Sequence, residues 1–233
     1  MALIHQKRRT IISLLSMILF AFLIVVNLPE KTETITIVKP SYDQATMSLA
    51  KVALGSIKIQ NSDSNDDYSR EEFGTGWDSV GGCDTRNIIL NRDLKNIIID
   101  DKCNVVSGVL NDPYTGTIIN FSRGADTSGA VQVDHVVALS NAWQTGAQQI
   151  TFQKRFAFAN DPLELLAVDG PSNQQKSDGD ASVWLPANVA FRCQYVARQV
   201  AVKQKYSLWV TQPEHDAIQS VLEKCPGQLL PSP

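Results

Sequence analysis

The residues able to do chemistry in this sequence gather around one histidine. Of the three histidines, His5 lies in a basic and apolar N-terminal segment and His215 in a polar stretch near the C-terminus, whereas His135 directly follows Asp134. A neutral imidazole, with an ordinary pKa of about 6.5, can take a proton from water near neutral pH. A carboxylate beside it can hold a metal ion. Adjacent side chains on a regular strand point to opposite faces, so the pair serves one site best at a strand end or bulge. Downstream lie Asn160-Asp161-Pro162-Leu163-Glu164 and Pro171-Ser172-Asn173-Gln174-Gln175-Lys176-Ser177-Asp178. Lys176 is one helical turn past Asn173, close enough for both to meet one ligand. Taken singly, each residue has a plain structural reading: His135 a core histidine, Asn160 a turn residue, Asn173 or Ser172 a helix cap. Asp178 and Asp180 read as polar loop residues around Gly179.

Several elements must position these residues. Val131-Gln132-Val133-Asp134-His135-Val136-Val137 alternates at its start and predicts a strand, and residues 163–168 predict a second. Between them, residues 141–158 predict helix, with Trp143, Ile150, Phe152 and Phe156 available for packing. Upstream, Asp84 predicts the N-cap of a helix over 85–94. Val105-Val106 and Thr117-Ile118-Ile119 flank the turn cluster 111–116 and predict a β-hairpin. Downstream, residues 187–206 carry apolar positions at helical spacing, and Thr211-Gln212-Pro213-Glu214 opens a last helix, to about Lys224, with a capping-box signature. The order of helix, hairpin, strand, helical insert, strand and helices defines an α+β class. Trp143, Trp184 and Trp209 have apolar neighbours and are expected in the core.

The chain ends and cysteines bear on location. Lys7, Arg8 and Arg9 precede an apolar run over 11–26, the pattern of an export signal. No small-x-small cleavage site follows in Asn27-Leu28-Pro29-Glu30, so an uncleaved signal anchor is the alternative, with its basic flank in the cytoplasm. Residues 1–28 are therefore expected as signal or anchor. Residues 29–72, with the polar run 61–67, are expected as a linker or poorly ordered segment that holds at most a short helix within 42–59, and residues 73–230 as the globular domain. Export agrees with four cysteines, Cys83, Cys103, Cys193 and Cys225. Their wide spacing suits two disulfides better than the rival zinc site, which usually shows a close C-x-x-C pair. Pairing Cys83 with Cys103 and Cys193 with Cys225 would staple neighbouring elements. With 43% hydrophobic and 19% charged residues the chain can bury one core. A net charge of -3 excludes a general nucleic-acid coat protein, which needs excess Lys and Arg, but not an enzyme with a local basic patch. There is no Gly-x-Ser-x-Gly elbow or His-Glu-x-x-His helix to support esterase or protease chemistry.

The ordered set of Asp134-His135, Asn160 before a short apolar strand, and Ser172-Asn173-x-x-Lys176-Ser177-Asp178 resembles the ββα-metal core of HNH (His-Me finger) endonucleases, including the HNH domain of RNA-guided CRISPR nucleases. It is most similar to exported HNH proteins of actinobacterial type, related to the C-terminal domain of GmrSD modification-dependent restriction enzymes. That likeness runs through Gly82-Cys83-Asp84-Thr85-Arg86, Asp112-Pro113-Tyr114-Thr115-Gly116, Asp134-His135-Val136-Val137-Ala138-Leu139, Trp184-Leu185-Pro186 and Arg192-Cys193. The resemblance implies a ββα-metal core with an added β-hairpin and surrounding helices. It makes His135 the general base, Asp134 and Asn173 the ligands of one divalent cation, and Asn160 the side chain that orients the imidazole. By position and charge alone, Lys176 and, more weakly, Arg86 and Arg92 are candidate contacts for substrate phosphate. Asn173 stands where the family name has its last histidine. A carboxylate with an amide oxygen suits Mg²⁺ or Mn²⁺ better than zinc. The expected activity is hydrolysis of phosphodiesters in DNA, with RNA as a second substrate, in a secreted or surface-anchored protein that needs no protein partner. A surface binding protein on a degenerate nuclease scaffold is the alternative, motivated by the acidic charge.

Overall fold

Residues 49–231 are described by the computed structural model, and over them helices and strands alternate in blocks. A short helix α1 (Ala50–Leu54) and a 3-10 turn (Arg70–Phe73) lead into a two-stranded ribbon of β1 (Ser79–Val80) and β2 (Cys83–Asp84). Helix α2 (Thr85–Asp93) is followed by an antiparallel sheet of β3 (Leu94–Ile99), β4 (Val105–Asn111) and β5 (Ile118–Ser122). Next come β6 (Val131–His135), α3 (Leu139–Gln144), a 3-10 turn (Ala147–Gln149), α4 (Phe152–Ala159), β7 (Leu165–Asp169) and α5 (Gly170–Lys176). Helices α6 (Arg192–Tyr206) and α7 (Gln212–Leu222) close the chain. This is the α+β mixture that the sequence implies.

Local signals place most of these elements. The Asp84 side chain accepts from the Asn87 N–H at 2.7 Å and caps α2, and Thr211 caps α7 through the Glu214 N–H. The β4–β5 hairpin turns where Asp112 accepts from the Thr115 N–H at 2.6 Å. Gly116 there has a φ of 77°, a left-handed conformation that favours glycine. The helical insert is broken rather than continuous. It bends at Gly146, whose φ is 124°, and a Cβ there would lie 2.9 Å from the Trp209 ring. Trp143 is buried as expected, while Phe152 is 47% exposed.

Strands β6 and β7 pair antiparallel, with Asp134 opposite Leu166 and His135 opposite Leu165. Alternation along β7 sends Leu165 and Ala167 into one hydrophobic core, with Ile89, Leu90, Val105 and Phe121. It sends Leu166 and Val168 into a larger one, with Val136, Phe158, Tyr195, Val200 and Ile218. A strand buried on both faces cannot alternate with polar residues, which explains the unbroken apolar run of this strand.

One expectation of domain organisation changes. Ala50, Ala53, Leu54 and Ile57 belong to the larger core, and α1 packs on α6 and α7. The part of the 29–72 segment that is described is therefore folded protein and not a linker. The polar run misleads because it crosses the surface while its backbone is tied down, as by the Asp63 N–H donating to the Gln144 carbonyl at 2.8 Å. The residues of the apolar run 11–26 and the first part of the expected linker lie outside the described residues. Among the described residues, no helix is long and apolar enough to cross a membrane.

The cysteines pair as Cys83–Cys103 and Cys193–Cys225, with Cα separations of 5.3 and 6.1 Å. None is left for zinc. The first bridge joins β2 to the β3–β4 turn, and the second joins the start of α6 to the segment after α7.

Candidate active site

His135 is the last residue of β6 and only 7% exposed. Its Nε2 lies 3.0 Å from the carbonyl oxygen of Ala159 at the end of α4. A carbonyl only accepts, so Nε2 carries the proton in this bond and the Nδ1 lone pair stays free for another. The ring stacks on Trp77, with centroids 5.7 Å apart and planes within 7°. Burial pulls the imidazole pKa down to about 3, and the charges of Arg70 and Lys176 push the same way, against the Ala159 bond. The ring is therefore neutral in the free protein.

Asp134 points to the other face of the strand, as alternation requires. There it accepts from Lys176 Nζ at 2.9 Å and from the Tyr114 hydroxyl. Burial pushes this carboxyl up, while Lys176 and Tyr114 favour the anion. Helix α5 lies across this face, and residues three apart on the helix meet residues two apart on the strand. Asn173 Nδ2 donates to Gln132 Oε1 at 2.9 Å, and Lys176 reaches Asp134 and the His135 carbonyl, at 2.8 Å. The close approach depends on Gly170, the first residue of α5. A Cβ there would sit 2.0 Å from the Gly129 carbonyl oxygen.

A cleft of about 460 Å³ opens over this strand end. Asp134, His135, Asn173 and Arg86 all line it, so four of the expected site residues converge. Asp178, read as a loop residue, lines it too.

Three expected roles do not survive. Lys176 is 2% exposed and held by Asp134 and a backbone carbonyl, so it is not available to substrate phosphate. A lysine facing a buried aspartate is pulled inward to compensate that charge. Asn160 does not touch the imidazole. Its Nδ2 donates to the Phe156 carbonyl at 3.0 Å and its Oδ1 accepts from the Asp78 N–H at 2.8 Å. It closes α4 and anchors the residue next to Trp77, so it acts on the ring from one layer out while the Ala159 carbonyl makes the direct contact. Arg92 is structural as well, donating to the Pro162 and Leu165 carbonyls at 2.6 and 2.7 Å. Arg86 keeps a cleft position, with Nη2 3.3 Å from the Val131 carbonyl oxygen.

Trp77, Tyr114, Arg70 and the Ala159 carbonyl have no part in the sequence reading of the site. Tyr114 sits in the block Asp112-Pro113-Tyr114-Thr115-Gly116, which carries the family likeness and could have flagged it. A backbone carbonyl leaves no side-chain signal.

Among the described residues, no three His, Cys, Asp or Glu side chains converge as metal ligands. A cation would depend on Asp134 and Asn173 with water and substrate. The donors fit that use: each Asp134 oxygen accepts one hydrogen bond and keeps a second lone pair. Asn173 directs Nδ2 to Gln132 and so turns Oδ1 the other way. Both are hard oxygens. Lys176 already neutralises the carboxylate, so a divalent ion gains little net charge attraction until an anionic substrate joins it.

The α+β fold thus brings a neutral imidazole, a buried carboxylate and a carboxamide to one cleft. The chain belongs to the family of GmrSD restriction endonuclease C-terminal domains, whose model matches residues 84–221. That is a nuclease-related family. The chain is also 36% identical over 181 residues to an "uncharacterized secreted protein" of Arthroderma benhamiae, an alignment covering 76% of this chain and 85% of that one. No solved structure matches it.

Proposed function

We propose that this protein is a secreted, metal-dependent endonuclease of the HNH type that hydrolyses phosphodiester bonds in DNA, with RNA as a second substrate. The observation that carries the reading is the contact of His135 Nε2 with the Ala159 carbonyl oxygen, from which the tautomer follows. Ala159 takes Nε2–H, and the free Nδ1 belongs to a ring bordering the cleft. In this reading the antiparallel pair β6–β7 and the following helix α5 would be the two strands and helix of the ββα core.

His135 Nδ1 takes a proton from water as the water oxygen bonds to phosphorus. One ester P–O bond breaks, and its oxygen leaves with a proton from solvent. A phosphodiester in the cleft brings negative charge close to the imidazole, which raises its basicity again from the low value of the free protein. Trp77 and the Ala159 carbonyl hold the ring, so its orientation costs nothing further during reaction. A Mg²⁺ or Mn²⁺ ion held by Asp134 and Asn173 would supply Lewis-acid charge at the phosphate. Secretion draws support from the two disulfides, which persist in oxidising compartments, and from the name of the relative.

Purified protein should nick supercoiled plasmid with added Mg²⁺ or Mn²⁺, and His135→Ala should lose at least about 10²-fold of that activity. Undiminished nicking by the variant would remove His135 as the base. The second reading, a binding protein on this scaffold, draws on Asp134, whose two oxygens already have protein partners. Calorimetric titration with Mn²⁺ in the presence of duplex DNA separates the two, since only the nuclease should bind the ion.

A further inference from the structure

With Lys176 committed to Asp134, the site needs another cation to hold an anionic substrate, and the structure carries one outside the segment matched by the family. Arg70 is exposed and lies on the wall of the main cleft with Tyr68 and Trp77. It also borders a second cavity, of about 170 Å³, that adjoins the same His135. Among the described residues its guanidinium makes no hydrogen bond or ion pair, and it is near enough for its charge to act on the imidazole. The other cleft arginine, Arg86, is partly buried and already donates to a backbone carbonyl.

The segment that carries Arg70 is held in place before it by the Asp63 N–H, which donates to the Gln144 carbonyl, and after it by several contacts. Phe73 is 1% exposed in the larger core. Arg155 Nε donates to the Glu72 carbonyl at 2.8 Å, and its Nη2 pairs with the Glu72 carboxylate at 2.7 Å. Asp78 is fixed by Asn160. Glu72 is thus engaged elsewhere, Glu71 acts on Arg70 through charge with no ion pair between them, and Arg70 faces the cleft from an anchored strap. A planar guanidinium matches two phosphate oxygens at once, and a free one beside a general base is suited to the charge that builds on those oxygens during attack.

We propose that Arg70 is the residue that binds the scissile phosphate, and that the strap over residues 63–78 is part of the catalytic unit although it precedes the family segment. The inference rests on the nuclease reading. It predicts that Arg70→Ala loses about 10²-fold in kcat/KM, with Arg70→Lys between that variant and the parent because it keeps the charge but not the fork. Because Arg70 is exposed and unpaired, Tm should stay within about 2 °C of the parent. A second measurement needs no turnover. In the His135→Ala background, without metal, anisotropy of a labelled short DNA duplex gives the dependence of log K on log salt. Adding Arg70→Ala should lower that slope by about one, the signature of one lost phosphate contact. Lys95→Ala, on the exposed side of β3, should change neither readout. A parent that neither nicks plasmid nor binds the duplex overturns the nuclease reading and this inference with it. A parent that does both, while Arg70→Ala keeps its kcat/KM and salt slope, overturns the role of Arg70 alone.

Discussion

His135 and Asp134 are neighbours in sequence with opposite electrostatic surroundings. The imidazole is kept neutral by burial, and the carboxylate is compensated by a buried lysine. The pH dependence of stability follows from the first. In the unfolded chain the ring has its ordinary pKa of about 6.5, and in the folded protein about 3. Between those values only the unfolded chain takes the proton, so this residue's stabilising contribution is complete above pH 6.5 and is lost as pH falls through the window. The buried carboxyls of Asp134, Glu164 and Glu214 are pushed up by burial and act with the opposite sign. The histidine effect is therefore isolated by difference. Urea unfolding at pH 6 and pH 4.5 should show His135→Asn losing up to about 1.4 kcal/mol per pH unit of the parent's slope. Equal slopes would mean that the folded ring titrates normally.

At the scale of elements, the site is a crossing of one helix and one strand end. The turn that follows His135 is tied back to the approach to β7: the Val136 N–H donates to the Glu164 carbonyl at 3.0 Å, and the Val137 N–H donates to the fully buried Glu164 carboxylate at 3.1 Å. From the other side, α5 brings Asn173 and Lys176 onto β6 at a distance that only a glycine at position 170 permits. In Gly170→Ala the new methyl would meet the Gly129 carbonyl, so helix and turn must separate. The expected cost is about 1–3 kcal/mol, read as a lower Tm, with a fall in nicking activity larger than the stability loss explains, because Asn173 and Lys176 move with the helix. A variant as stable and as active as the parent would show that the crossing is slack. Most elements were legible in the sequence, because caps such as Asp84 and Thr211 and the alternation of β6 are local signals. The break of the insert at Gly146 was not, since it answers to the Trp209 ring far along the chain.

Across the whole molecule, two hydrophobic cores meet at the β6–β7 pair, and two disulfides close loops at the edges. The bridged cysteines are 20 and 32 residues apart, and loops of that size stabilise by about 3 kcal/mol each in the chain-entropy account. Replacing Cys193 and Cys225 by serine should lower Tm by about 6–12 °C, measured by calorimetry against the oxidised parent. An unchanged Tm would mean that packing of α6 on α7 already imposes the constraint. The sequence by itself determined the α+β class and the ordered motif around His135, since each is written in residue types at short or fixed spacing, whereas the pairing of the cysteines needed the structure. Only the tertiary structure decided what the motif residues touch. It gave the imidazole to the Ala159 carbonyl instead of Asn160, and turned Lys176 inward to a buried aspartate. It also brought Trp77 and Arg70 to the cleft, Arg70 from a polar segment expected as linker. Those outcomes depend on charge compensation and burial between residues distant along the chain, which no local pattern encodes.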